Sequence, residues 1–276
     1  MKKSSIILLF IIGLAICIYP LGTKVYYNYS MSVESEKTDQ SFESLSPDKQ
    51  LKYQTFENYN KRENQQSKII SPAVENKKDE SEENLTKHAD IIATIRIPAL
   101  RLHYPVYTEA TPENLNRGVS RVIGTSYPLG GNNTNSVLAA HSYSPTHEWF
   151  THIDRLKNGD QIIISNYKEK LYYRVFNRKI VTPDQVESLA VIKNRDILTL
   201  MTCTPDGSRR LLIYSERMPF QKKQETVDEK RTVTPREFSL LEKLKVLSDS
   251  WVILVLIIGL IWIFLWQVTT EEKNNF

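Results

Sequence analysis

The chain has 276 residues, with 36 Lys+Arg against 32 Asp+Glu for a net charge of +4, yet residues 4–21 and 251–268 carry none of those charges. Two such apolar stretches argue against a simple soluble protein, and the charged remainder is too large and polar to be the loops of a polytopic transporter. The small net charge and the lack of a basic run leave nucleic acid unfavoured as a partner.

Crossing a bilayer takes roughly 20 apolar residues, with a range of about 17 to 25. Residues 4–21 follow Lys2 and Lys3, a positive flank of the cytoplasmic kind. They end in Ile-Tyr-Pro-Leu-Gly, without the small-residue cleavage site of a signal peptide, so residues 1–27 are expected to form an uncleaved membrane anchor. Residues 28–89 hold 12 acidic and 9 basic side chains among 62. That is too little apolar content for a core, and the segment reads as a polar extracellular stalk. Within it Leu51, Tyr53, Phe56 and Tyr59 recur near the helical period behind Ser46 and Pro47, which predicts one docking helix over residues 47–64.

The texture changes at Asp90. Residues 91–97, 104–107, 136–140, 161–165, 171–176, 197–202 and 211–215 are short runs rich in β-branched and aromatic side chains, punctuated by Pro, Gly, Asn and Asp, as in an all-β sandwich or barrel. Trp149, Phe150, Ile153 and Leu156 predict one helix over residues 146–156. Residues 90–218 suffice for one compact domain with its own core. Residues 219–250 read as a juxtamembrane linker, in which Phe238, Leu241, Leu244 and Leu247 predict a short amphipathic helix. Residues 251–268, with Trp251, Trp262 and Trp266, are the second expected span, and 269–276 a cytoplasmic tail.

Cys17 lies in the first apolar stretch, which leaves Cys203 alone in the outer portion. A lone thiol there is unusual in an oxidising compartment, and its bland reading is a small buried hydrophobe. Its position suggests more. Cys203 ends an apolar run just before Pro-Asp-Gly, where its sulfur can face a cleft; seven residues on, Arg210 opens the next run, so a hairpin returns it beside Cys203. His141 ends the run at 136–140 in the same way. A thiolate needs a cationic neighbour, an imidazole can protonate a leaving amine, and a guanidinium can hold a carbonyl or a developing oxyanion. A zinc site joining His103, His147 and His152 to His141 matches no dedicated spacing. Asp206 caps a turn more readily than it tunes His141, and Tyr127 and Tyr143 read as packing or cleft-wall residues.

The blocks G-T-S-Y-P-L-G-G at 124–131, S-V-L-A-A-H at 136–141, L-K-N-G-D at 156–160 and T-C-T-P-D-G at 202–207, followed by R-L-L from Arg210, resemble a sortase, most nearly the pilus-assembling class C branch. The resemblance implies a closed sortase-type β-barrel of about eight strands with short helices, flanked by the polar helical stalk and by N- and C-terminal transmembrane helices. It implies Cys203 as nucleophile, His141 as general acid/base and Arg210 as substrate and oxyanion clamp, with Arg209 the competitor for the last role. The implied reaction cleaves an LPXTG-like sorting signal between Thr and Gly and passes the thioacyl group to a pilin lysine amine. A cell-wall peptide amine is the alternative acceptor, and a silent membrane adaptor that binds sorting signals is the rival from another class. Neither metal nor organic cofactor is implied. The implied location is the outer face of a Gram-positive cell membrane, with membrane lipid contacted through two helices. Residues before Asp90 lack the Asp-Pro-aromatic motif that lids many class C sites, so the site is expected to be open.

Overall fold

The computed structural model describes residues 3–43, 46–66, 91–144, 147–219, 258–259 and 261. The chain divides into two compact units, one of residues 1–27, 145–147 and 221–276, the other of residues 28–144 and 148–220. In the first unit the ring of Tyr27 packs on that of His147 at 4.2 Å between centroids. The second unit contains the barrel and the candidate site.

Eight strands close the barrel: β1 (Ile91–Ile97), β2 (Leu102–Tyr107), β3 (Val119–Arg121), β4 (Thr134–Ala139), β5 (Gln161–Asn166), β6 (Lys170–Val181), β7 (Asp196–Cys203) and β8 (Arg210–Arg217). Their order around the barrel is β1-β2-β3-β4-β7-β8-β6-β5, with β5 returning to β1. The β2·β3 and β4·β7 pairs are parallel and the others antiparallel. Because β4 and β7 run together, both leave the barrel at the end where β8 begins. β6 outruns β5, which pairs with it only over residues 170–174.

Alternation along each strand separates two cores. Leu138, Leu198, Leu200 and Ile213 face the interior with Ile95, Ile162 and Ile164. Val137, Ile197, Leu212 and Tyr214 face outward and are buried beneath Val181 and Leu189. The β6–β7 connection is pinned over them by hydrogen bonds from Asn135 Nδ2 to the Leu189 carbonyl (2.9 Å) and from the Tyr214 hydroxyl to the Ser188 carbonyl (3.0 Å). β4 and β7 are thus covered on both faces, which fits the apolar side chains that β7 carries on both.

Within the segment read as a stalk, residues 28–43 are helical where no helix was expected, the docking helix expected at 47–64 is present, and residues 67–89 lie outside the described residues. Helix α1 (Lys3–Glu43) continues through residue 43, and α2 (Pro47–Gln66) follows it. Phe42 and Phe56, 9% and 1% exposed, join the barrel core. The apolar side chains are few but fall on one face. Phe56 stacks on Tyr127 at 4.1 Å, and Asn60 pairs with the Tyr127 backbone, Oδ1 accepting from its N–H (2.7 Å) and Nδ2 donating to its carbonyl (3.1 Å). Tyr53 and Tyr59 also pack here, but Leu51 is 53% exposed. At about 100° per residue, five residues place Leu51 on the far side from Phe56. The charge of buried Arg121 is met by the Thr108 and Thr125 carbonyls and by the face of Tyr127 at 3.8 Å. On α1, Asp39 contacts His103 Nε2 (3.2 Å) and Arg96 Nη2 (3.8 Å) and accepts from the Thr94 hydroxyl.

A correction concerns residues 146–156. Of the described residues there, only Ile153–Arg155 is helical, as one 3-10 turn. Trp149 has a φ of +25°, which interrupts any regular helix. Phe150, Ile153 and Leu156 still enter the core, because an irregular turn can present the same side chains. A short helix not expected from the sequence, α3 (Pro112–Arg117), is capped by the Thr111 side chain, which accepts from the Asn114 N–H.

No helix among the described residues is long and apolar enough to cross a membrane. The first expected span lies on α1. The second falls outside the described residues apart from 258, 259 and 261, as does the expected amphipathic helix at 235–247.

Candidate active site

The β7–β8 hairpin is the site's foundation. Its tip closes with Thr204 N–H to the Arg209 carbonyl (2.9 Å) and Gly207 N–H to the Thr204 carbonyl (2.8 Å), and Gly207 sits at φ +73°, where glycine alone is unstrained. Asp206 belongs to this turn. Its carboxylate accepts from the Ser208 and Thr204 hydroxyls and the Ser208 N–H, contacts that hold its pKa down at about 2.

The hairpin register pairs Cys203 directly with Arg210. Cross-strand partners share a sheet face, whereas Arg209, one position away, alternates to the other. On the opposite flank of β7, β4 runs in parallel register through Ala139↔Met201. Two bonds continue that pairing, Ala140 N–H to the Met201 carbonyl (3.2 Å) and the Thr202 hydroxyl to the Ala140 carbonyl (2.8 Å). One position further, His141 comes level with Cys203. The three residues therefore form one row across neighbouring strands spaced about 4.8 Å apart.

All three are half-buried. Arg210 Nη1 donates to the carbonyls of Gly207 and Arg209, each at 3.2 Å, so the guanidinium lies over its own turn. The His141 carbonyl accepts from the Phe150 N–H at 3.2 Å, and its ring lies 5.2 Å from that of Trp149 at 44°. Cys203 opens onto a cleft of about 770 Å³. Phe150, Thr202 and Leu211 line it together with Tyr143, Asp154, Arg178, Lys179 and Ile180.

The other histidines stand apart. His103 meets Asp39 on β2, and the only His/Cys/Asp/Glu grouping with ligand-like spacing among the described residues is Glu36, Asp39 and His103. Arg96 already lies among these groups, 3.4 Å from both Glu36 and the His103 ring. His152 precedes the 3-10 turn. Tyr127 packs beneath α2 and Tyr143 lines the cleft, as expected of them. The sequence reading missed Arg178 and Lys179, whose place in the cleft depends on the β6·β8 register. It also placed Trp149, a core residue, on a helix and did not connect it with His141.

A thiol opening onto a cleft, with an imidazole and a guanidinium level with it on the neighbouring strands, can carry out acyl transfer: attack at a carbonyl, protonation of the leaving group and stabilisation of the oxyanion. A sortase-domain family model matches residues 95–218. Bacillus anthracis sortase A is 31% identical over 128 residues, which cover 46% of this chain and 59% of that protein. The chain thus spans about six-tenths of that relative's length. Among solved structures, Streptococcus agalactiae sortase C1 superposes with a TM-score of 0.59 at 31% identity, covering 70% of this chain and 97% of that one. Clostridium perfringens sortase C, solved with the C-terminal cell wall sorting motif, gives 0.58 at 29%, covering 69% and 98%. The closed barrel, the matching domain and these relatives together establish that the chain belongs to the sortase family.

Proposed function

We propose that this chain is a cysteine transpeptidase of the class C, pilus-assembling kind. The observation that carries the reading is the strand register that brings His141 and Arg210 level with Cys203, which opens onto the cleft. The class is supported by the sortase C structures, which this chain matches over nearly their full length. The substrate is an LPXTG-like sorting signal. The Cys203 thiolate attacks the Thr carbonyl, and Arg210 exchanges its bonds to the turn carbonyls for the developing oxyanion. His141 protonates the departing Gly amine, leaving a thioester on Cys203. A lysine amine of a pilin then attacks the thioester, His141 takes its proton, an isopeptide bond forms and the thiolate is released. Membrane attachment through residues 4–21 and 251–268 is part of the proposal and rests on their freedom from charge.

A second reading, transfer to a cell-wall peptide amine, has its own support: the sequence relatives include a sortase A rather than a sortase C. One experiment separates the possibilities. The membrane-bound full chain is incubated with an LPXTG peptide and either a lysine-bearing pilin segment or a cell-wall peptide amine, and the products are weighed by mass spectrometry. The expected product is the lysine isopeptide; a preference for the wall amine moves the chain to the second reading. Cys203→Ala is expected to abolish the thioester intermediate and all product while the barrel stays folded. His141→Ala is expected to cost on the order of 10² to 10⁴ in rate. Full turnover in Cys203→Ala sinks the mechanism, and peptide binding without cleavage by the unmutated chain identifies a silent adaptor.

A further inference from the structure

Sheet hydrogen bonding fixes the strand after β4 only as far as Ala140. His141 lies just beyond, half-buried, where an imidazole has several open rotamers. Two contacts from one short segment reach it. The Phe150 N–H binds its carbonyl, and the Trp149 ring lies against its ring.

The backbone of that segment is unusual. Trp149 holds φ at +25°, a conformation large side chains avoid, and is nevertheless only 7% exposed. The residues behind it explain how this is sustained. Phe150 and Ile153 are fully buried and Leu156 nearly so, anchoring the segment in the barrel core. The chain turns at Trp149, and the indole meets the imidazole. Strain maintained by surrounding packing beside a reacting group marks a constraint that serves the site.

We infer that Trp149 is a positioning residue for the transfer reaction, restricting the His141 ring to the rotamer that faces the row of Cys203 and Arg210. The inference rests on His141 being the general acid/base proposed above. Trp149 touches no reacting atom in this role. It acts on kcat by keeping the imidazole in reach of the leaving amine in every turnover, and has little effect on how tightly the peptide binds.

The test compares Trp149→Leu, which is apolar but has no flat face, with Trp149→Phe, which keeps one, in steady-state transfer from an LPXTG peptide to an amine acceptor. Trp149→Leu is expected to lower kcat by about 10- to 100-fold, the scale of a misplaced catalytic group, with KM within about twofold. Trp149→Phe is expected to recover kcat to within about threefold. A kcat unchanged in Trp149→Leu, a loss confined to KM, or a Phe variant as slow as the Leu variant overturns the inference. If Trp149→Leu does not fold, the His141 ring protons decide. Their NMR signals are expected upfield in the wild type, from the indole ring current, and less so in Trp149→Phe; equal positions in both overturn it. His141→Ala and Cys203→Ala keep the two claims apart. Activity surviving in those variants removes the underlying mechanism, whereas their loss beside a normal Trp149→Leu removes only the positioning role.

Discussion

Of two adjacent arginines, strand parity favours Arg210 as the clamp. Arg210 is the β8 partner of Cys203, and Arg209 alternates to the opposite face. Arg210→Ala is therefore expected to lower kcat/KM by about 10² to 10³, the usual cost of an oxyanion donor, and Arg209→Ala by far less. Arg210→Lys should recover little, since an ammonium lacks the planar fork that can hold two acceptors at once. Greater damage from Arg209→Ala in the same assay would reverse the assignment. This part of the site was legible in the sequence because a hairpin is local: a run, a Pro-Asp-Gly turn and a second run bring Cys203 and Arg210 together without long-range information. Arg178 and Lys179 were not legible. Their cleft positions depend on β6 pairing with β8 across a register shift between Val175 and Asn177, which no local pattern announces.

Among the elements, α2 shows how far periodicity carries. The period and the Pro47 start gave a helix where one exists, Pro47–Gln66, but the same period admitted Leu51 to the buried face. The barrel decides instead. Tyr127 offers a ring to Phe56 and a backbone N–H and carbonyl to Asn60, and residues 51 and 56 point apart. Phe56→Ala is expected to destabilise the domain by about 3 to 5 kcal/mol, the range for a buried Phe truncated to Ala. Leu51→Ala should fall within about 0.5 kcal/mol of the wild type, as for other surface changes. Urea unfolding of both variants checks the pair, and equal effects would mean that α2 does not dock through this face. Most strands were readable as apolar runs. β3 was not, because its three residues are too few to show alternation. The turn at Trp149 was hidden for the opposite reason, since helical spacing of Phe150, Ile153 and Leu156 is equally compatible with a strained turn.

For the molecule as a whole, acid should loosen α1 from the barrel. Burial pushes the Asp39 carboxyl up, but hydrogen bonds from His103 and Thr94 and the charges of His103 and Arg96 outweigh it, leaving the pKa below the ordinary 3.8. A carboxylate depressed in the folded state adds stability above its unfolded pKa and loses it as pH falls through the folded one. The stability difference between wild type and Asp39→Asn is therefore expected to be full above about pH 4 and to close below it, as thermal melts across that range would show. A gap that persists unchanged at lower pH would mean that the Asp39 charge is not what holds α1. Asp196 has the opposite sign: burial raises its pKa against bonds from Gly131, Tyr173 and Thr134 and the charge of Arg217, so its contribution declines as pH rises above 3.8. The overhang of β6 beyond β5 bears on a different property, solubility. Strands elsewhere in a closed barrel offer no template to another chain, but the far half of β6 has a strand neighbour on one side only. Asn177, Arg178 and Lys179 stand exposed along it beside Ile180, 53% exposed. Charged side chains and register shifts are features that disfavour edge-to-edge pairing, so Arg178 and Lys179, which line the cleft, also sit where they oppose recruitment of a second copy's edge.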